Sequence, residues 1–345
     1  MENILNFTRN DLAGWLDSNC IRPFRAGQIF KWLYIRQADA FEQMTDLSKE
    51  LRKTLEDNFY IQRLILDEKL VSVDRTEKFL HRLSDGQHIE SVLIPEKDHF
   101  TLCVSSQVGC VQNCQFCLTA KGGFVRNLNT SEMIAQIRDA RYYLSQKDLD
   151  PKKLSNIVFM GMGEPLANYK NLVKALEIIT DSDYGLKFSS RRVTVSTCGL
   201  VPKITQLGLD TDVNLAVSLN ATTDEMRSRL MPINKKYPLA QLLEACRTFT
   251  MKPRKKITFE YILMKGVNDT KEDALKLAKL LAPIKAKINL IPFNEYENSD
   301  FKRPSKDQIS EFLQVLLDRD FTAITRKSKG DDILAACGQL KAKLY

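Results

Sequence analysis

Along the first 60 residues, apolar positions recur at helical spacing. Thr8 and Asp11 form a capping-box pattern ahead of Leu12, Trp15 and Leu16. Ile29, Phe30, Trp32 and Leu33 make a second stripe, and Leu47, Leu51, Leu55 and Phe59 a third. From 61 to 98 the pattern turns strand-like, with a turn at Ser84-Asp85-Gly86-Gln87. Beyond residue 99, β-branched apolar runs alternate with helical stretches. The runs are Phe100 to Ser105, Asn156 to Met160, Arg192 to Ser196, Val213 to Leu219, Ile257 to Leu263 and Lys287 to Ile291; the helical stretches are clearest at 131–144, 169–180, 239–250, 271–282 and 305–318. Six such units predict an α/β chain built on a parallel sheet, a partial (β/α)6 barrel. A seventh run, Phe321 to Thr325, leads into a tail ending near Cys337. The predicted organisation is a helical N-terminal domain (1–60), a strand-rich connector (61–98), the barrel (99–320), and a last strand with tail (321–345).

Composition supports a sizeable core: 43% of residues are hydrophobic and 27% charged. No apolar run reaches the roughly 18 residues of a membrane span, and the opening MENILNFTRN lacks a secretory layout. The expectation is a soluble cytoplasmic protein with no membrane partner. Eight cysteines then point to metal or redox chemistry rather than a disulfide framework. The net charge of +8 lies wholly in the second half: residues 187–345 carry +10 and residues 1–186 carry −2. Lys187 with Arg191 and Arg192, Arg227 with Arg229, Lys235 with Lys236, the Lys252 to Lys256 run, Lys302 with Arg303, and Arg326 to Lys329 are the clusters. Together they suggest a polyanionic partner.

Cys110, Cys114 and Cys117 place three thiols within eight residues after a strand. Soft thiolates suit an iron–sulfur cluster or zinc. Zinc would take a fourth ligand, for which His99 and Cys103 are candidates. Three thiolates on a four-iron cubane would leave one iron open to a substrate. Gly161-Met162-Gly163-Glu164-Pro165 follows the second strand, where glycines admit a ligand to the backbone and Glu164 could accept from an ammonium group. The cysteine loop, this turn, Ser196, Ser218-Leu219-Asn220 and Asn294 all fall at strand C-terminal ends, where barrel active sites form. Alternation sets Thr101, Cys103 and Ser105 on one face, toward the barrel interior. A tail cysteine such as Cys337 could reach over the barrel mouth and meet a second thiol there.

The cysteine spacing, with Phe116 before the third, resembles that of radical S-adenosylmethionine (SAM) enzymes. CVSSQVGCVQNCQFC (103–117), FMGMGEP (159–165), MPINKKY (231–237), NLIPFN (289–294) and GDDILAACGQL (330–340) together resemble one family closely. It is the dual-specificity 23S rRNA and tRNA adenine carbon-2 methyltransferases of the RlmN type. The resemblance implies a 4Fe-4S cluster on Cys110, Cys114 and Cys117, with SAM contacted by Gly163, Glu164, Ser196, Ser218, Leu219, Asn220 and Asn294. It implies that Cys337 carries a methyl group to the adenine, that Cys103 then attacks Cys337 to form a transient disulfide, and that Glu90 acts as the base. The implied partners are 23S rRNA and tRNA and an electron donor such as flavodoxin, with the chain a monomer. Alternatives are a Cfr-type carbon-8 methyltransferase of the same adenine, which Pro165 and NLIPFN disfavour by resemblance, and a non-catalytic zinc-stabilised RNA-binding protein.

Overall fold

The extended runs pair edge to edge in the computed structural model, which describes residues 1–342. Ten strands form one sheet: β1 (Ile65–Val71), β2 (Glu77–Arg82), β3 (His88–Pro95), β4 (Phe100–Cys103), β5 (Leu154–Phe159), β6 (Val193–Thr197), β7 (Asn214–Ser218), β8 (Ile257–Leu263), β9 (Ala286–Pro292) and β10 (Thr322–Thr325). Spatial order follows chain order throughout. β4 to β10 are parallel, as strands joined by helical crossovers can be. β1 to β4 are antiparallel neighbours, because the turns between them are too short for a crossover. The strand-rich connector is therefore hydrogen-bonded into the same sheet as the barrel strands.

Alternation along each parallel strand divides two environments. Ile157, Phe159, Val195, Leu215, Val217, Phe259, Tyr261, Ile288 and Leu290 are buried in the apolar core. Their neighbours Asn156, Val158, Thr194, Asn214, Thr258, Glu260 and Asn289 line a cavity on the other face. Helices α1 (Arg9–Ser18), α2 (Arg25–Phe30) and α3 (Lys49–Asn58) precede the sheet, and the crossovers include α4 (Thr130–Gln146), α5 (Tyr169–Thr180), α6 (Val201–Asp210), α7 (Asp224–Leu230), α8 (Leu239–Arg247) and α9 (Lys271–Leu281), with α10 (Lys306–Leu317) ahead of β10. A conventional barrel fills its interior with branched apolar side chains. This one keeps polar residues there, so the interior remains open.

The N-terminal residues fold as expected from their caps. Thr8 Oγ1 accepts from Asp11 N–H and Asp11 Oδ2 from Thr8 N–H, both at 3.1 Å, opening helix Arg9–Ser18. Helix Arg25–Phe30 continues as a π-helical turn over Lys31–Ile35, and Trp32 Nε1 donates to Asp46 Oδ1 at 2.5 Å. Ile4, Leu5, Leu12 and Leu16 belong to the same apolar core as the barrel helices. The fully buried Arg138 of α4 donates to Ala38 O at 2.8 Å across that junction. Among the described residues no helix is long and apolar enough to cross a membrane.

Candidate active site

The cysteine loop is bracketed by its own ribbon, in which Gln107–Gly109 pairs antiparallel with Phe124–Asn127. Gly109 has φ +73°, and a Cβ there would lie 1.9 Å from Gly123 O, so the ribbon closes only around glycine. Cys110 N–H donates to Gly123 O at 2.8 Å, Cys117 N–H to Cys114 O at 3.1 Å, and Gln115 N–H to Leu230 O at 2.9 Å. These bonds turn all three thiols into one cavity of about 150 Å³, shared with Gly163, Glu164, Ser196, Ser218 and Cys337. Burial pushes the Cys110 thiol up to about 12 and that of Cys114 well above its ordinary value, with the neighbouring thiols adding to the effect.

The turn after β5 is held as tightly. Gly163 has φ +98°, and a Cβ on it would fall 2.4 Å from that of Gln107. Glu164 is buried; Oε1 accepts from Leu166 N–H at 3.0 Å and Oε2 from Cys198 N–H at 2.8 Å, which fixes the carboxylate facing the cavity. Burial raises its pKa, and the hydrogen bonds from Cys198, Leu166 and Thr197 counter that rise.

The tail passes over this cavity. Leu118 N–H donates to Gly338 O at 2.8 Å and Thr119 Oγ1 to Leu340 O at 2.7 Å. Cys337 lines both the cysteine-loop cavity and a larger one of about 540 Å³ inside the barrel. Its side chain is reached by solvent yet ringed by protein, and burial with the nearby Glu260 carboxylate raises its pKa. Cys103, on β4, lines the larger cavity with it; burial and then the Cys337 thiol raise its pKa. Asn294 Nδ2 donates to Cys337 O at 3.1 Å, so this side chain orients the tail.

Leu219 and Asn220 lie outside the linings of both cavities. Leu219 is part of the apolar core. Asn220 adopts φ +57°, a left-handed conformation that asparagine tolerates well, and its Oδ1 accepts from Ile262 N–H at 2.8 Å. Glu90 is also off both linings. It is buried on β3, with Oε1 3.0 Å from Lys78 Nζ and Oε2 accepting from Lys341 N–H at 2.8 Å. The glutamate that the family resemblance gives as the base is, in this arrangement, a buried anchor for the tail. Ser105 faces away from the cavity, donating to Glu90 O at 2.5 Å. Arg227 departs from its expected place in an exposed basic cluster: it is fully buried and donates to Leu219 O, Ser218 O, Cys198 O and Asn234 Oδ1, tying the loops after β6 and β7 together.

Residues 104–278 match the radical SAM superfamily, and residues 2–61 the ribosomal RNA large subunit methyltransferase N-terminal domain. The chain is 57% identical to the dual-specificity RNA methyltransferase RlmN of Desulfosudis oleivorans, over 99% of this chain and 91% of that protein. The chain belongs to the RlmN family of radical SAM methyltransferases. The family's relative in Geobacter sulfurreducens is likewise 57% identical, over 100% of this chain and 93% of its own length. A solved radical SAM methyltransferase from Sphaerobacter thermophilus superposes with a TM-score of 0.91 at 41% identity, covering 99% of this chain and 100% of that one.

Membership of the radical SAM superfamily brings a 4Fe-4S cluster and SAM. The geometry of the three thiols fits such a group. Among the described residues no three Cys, His, Asp or Glu side chains converge closely enough to hold a single metal ion, whereas Cys110, Cys114 and Cys117 surround a common space. Thiolates disfavoured by burial are also those that a cationic cluster would compensate. His99, the suggested fourth zinc ligand, lies instead in the larger cavity, 2.8 Å from Asn156 Nδ2.

The sequence reading missed Glu260. It lines both cavities with Cys337, and Asn289 Nδ2 donates to its Oε1 at 2.9 Å. One signal was available: a single carboxylate in the apolar run Ile257-Thr258-Phe259-Glu260-Tyr261-Ile262-Leu263, where strand burial leaves a charge little reason to sit.

Proposed function

We propose that this enzyme methylates carbon 2 of adenine in 23S rRNA and in tRNA, with Cys337 as the methyl carrier. The single observation that carries the reading is the position of Cys337 on the linings of both cavities, between the cysteine loop and Cys103. Cys110, Cys114 and Cys117 would hold the cluster, and Gly163, Glu164, Ser196 and Ser218 would hold SAM beside it. When bound, the cluster supplies the electron that cleaves SAM to a 5'-deoxyadenosyl radical. The protein's own part is then to carry a methyl thioether on Cys337, present it to the adenine, and release the adduct. Release uses the second thiol: Cys103 sulfur, having lost its proton, attacks Cys337 sulfur, an S–S bond forms, the Cys337 sulfur–carbon bond breaks with its electron pair passing into the adenine adduct, and the freed methylene takes up a proton to become the methyl group. The resulting disulfide takes two electrons and two protons from an external thiol before the next turnover, and a flavodoxin-type partner would supply the electron for SAM cleavage.

Leu219, Asn220 and Asn294 would act by shaping the loops around SAM and the tail. A role for Glu90 as the base requires it to leave Lys78 and the Lys341 amide, so in the described arrangement it serves as an anchor. The helical region ahead of β1 would dock RNA, and the working form would be a cytoplasmic monomer. The test is methyl transfer to protein-free 23S rRNA by anaerobically reconstituted wild type and Cys337→Ala, with the product mapped by mass spectrometry. Carbon-2 methyladenine from wild type alone supports the proposal. Carbon-8 product would move the enzyme to the Cfr-type reaction, and equal product from both proteins would remove Cys337 from the chemistry.

A further inference from the structure

We infer that the RNA strand docks on the edge of the barrel formed by the strand N termini, and that the target base reaches Cys337 along the larger cavity from that edge. The inference rests on the RNA methyltransferase reading and adds the route by which substrate enters.

Because β4 to β10 are parallel, the residues that begin them share one edge of the sheet. The lining of the larger cavity starts there, with His99 ahead of β4, Asn156 early in β5, Arg192 ahead of β6, Asn214 opening β7, and Thr258 and Lys287 early in β8 and β9. It runs inward past Cys103, Glu260 and Asn289 and ends at Cys337. At about 540 Å³ it falls within the roughly 300–1,000 Å³ typical of sites that enclose a small ligand. Its walls are polar along much of their length, as recognition of the edge of a base requires. The opposite end of Cys337 faces the three thiols and the Gly163–Glu164 turn. Cofactor and nucleotide would thus approach one sulfur from opposite ends of the barrel.

Charge supports the same direction. Arg191, Arg192 and Lys287 line this cavity at the strand N-terminal edge, with Glu96 as the carboxylate there, whereas Arg326, Lys327 and Lys329 line it from beyond the C-terminal end of β10. Arg191, Arg192 and Lys287 are exposed, and none of them is in an ion pair among the described residues. Lys252 on the same edge, by contrast, is neutralised by Asp212 at 2.8 Å. Beside the entrance, Arg254, Lys255, Lys256, Lys285 and Arg319 line a second open depression, with Asp320 as its one acid. A row of unpaired cations around the entrance of a polar passage suits a phosphate backbone that positions a base splayed from its strand.

The experiment uses the full chain with its reconstituted cluster and compares wild type, Arg191→Glu/Arg192→Glu/Lys287→Glu, and a control, Arg229→Glu/Lys265→Glu, whose residues are exposed near the opposite rim. Affinity for a short adenine-containing RNA stem-loop is read by fluorescence anisotropy across salt concentrations, and SAM-dependent methylation of Cys337 by peptide mass. The entrance variant is expected to lose about tenfold or more in affinity and to lower the salt slope by about 3. Its Cys337 methylation should match wild type. If that variant folds poorly, the neutral Arg191→Gln/Arg192→Gln/Lys287→Gln form should show a smaller loss of the same kind. Unchanged affinity in the entrance variants, or a larger loss in the control, overturns the route. Failure of the wild type to methylate Cys337 in the same assay would instead overturn the proposed function.

Discussion

Replacing Lys78 with methionine separates anchoring from catalysis at Glu90. Lys78 Nζ lies 3.0 Å from Glu90 Oε1, with the two side chains only 3% and 2% exposed. Lys78 also donates to Leu334 O at 3.4 Å, and Glu90 accepts from Lys341 N–H, so the pair grips the tail on both sides of Cys337. Removing one partner of a buried pair leaves the other charge uncompensated, which costs about 3–5 kcal/mol. Lys78→Met is therefore expected to lower the free energy of unfolding in urea by about that amount and to expose residues 326–342 to limited proteolysis. A Lys78→Met/Glu90→Leu protein, which buries no charge at the site, should recover most of the stability. Lys78→Met/Glu90→Gln should likewise keep the tail protected, since the amide oxygen can still accept from Lys341 and no charge is left buried. A loss under about 1 kcal/mol in Lys78→Met, or a double variant no more stable than the single, would refute the anchoring argument. Loss of adduct release in Lys78→Met/Glu90→Gln with the tail still protected would show that Glu90 leaves its anchor to act as a base.

Two further outcomes follow from buried polar groups. Burial holds His81 neutral down to about 4, whereas an unfolded histidine takes up its proton near 6.5. Its contribution is complete above pH 6.5 and is lost as pH falls toward 4, about 3 kcal/mol in all, so His81→Phe should flatten the acid limb of a stability profile measured by urea unfolding. Arg227→Met would leave four acceptors without their donor and is expected to destabilise by more than about 3 kcal/mol by the same measurement, with Arg227→Lys intermediate because lysine offers fewer donors.

The barrel strands were legible because a β-branched run bounded by helical periodicity has few other readings; the run Ile257 to Leu263 coincides with β8 and 169–180 with α5. Short helices such as α6 and α7 were not anticipated. α6 opens with Val201-Pro202, and α7 is a single capped segment of seven residues. The ribbon around the cysteine loop was equally hidden, since three-residue strands carry too little periodicity to register. Within the site, motif spacing located the thiols and the Gly163–Glu164 turn. It could not separate exposed from buried charge. Arg227 and Arg229 look alike in sequence, yet the first is enclosed by carbonyls and the second is exposed, because helix rotation decides which of two residues two positions apart faces the core. Glu90 was obscured because its burial depends on Lys78 and Lys341, partners outside its own strand, whereas the apolar run around Glu260 did carry a signal.

The amide that follows Cys117 holds the carbonyl that follows Cys337, joining the first chemical segment of the barrel to the last segment of the chain. Together with the grip of Lys78, Glu90 and Asn294, this bond couples the placement of Cys337 to the shape of the cysteine loop, so a change that reshapes one end of the barrel's chemistry is felt at the other, far along the chain.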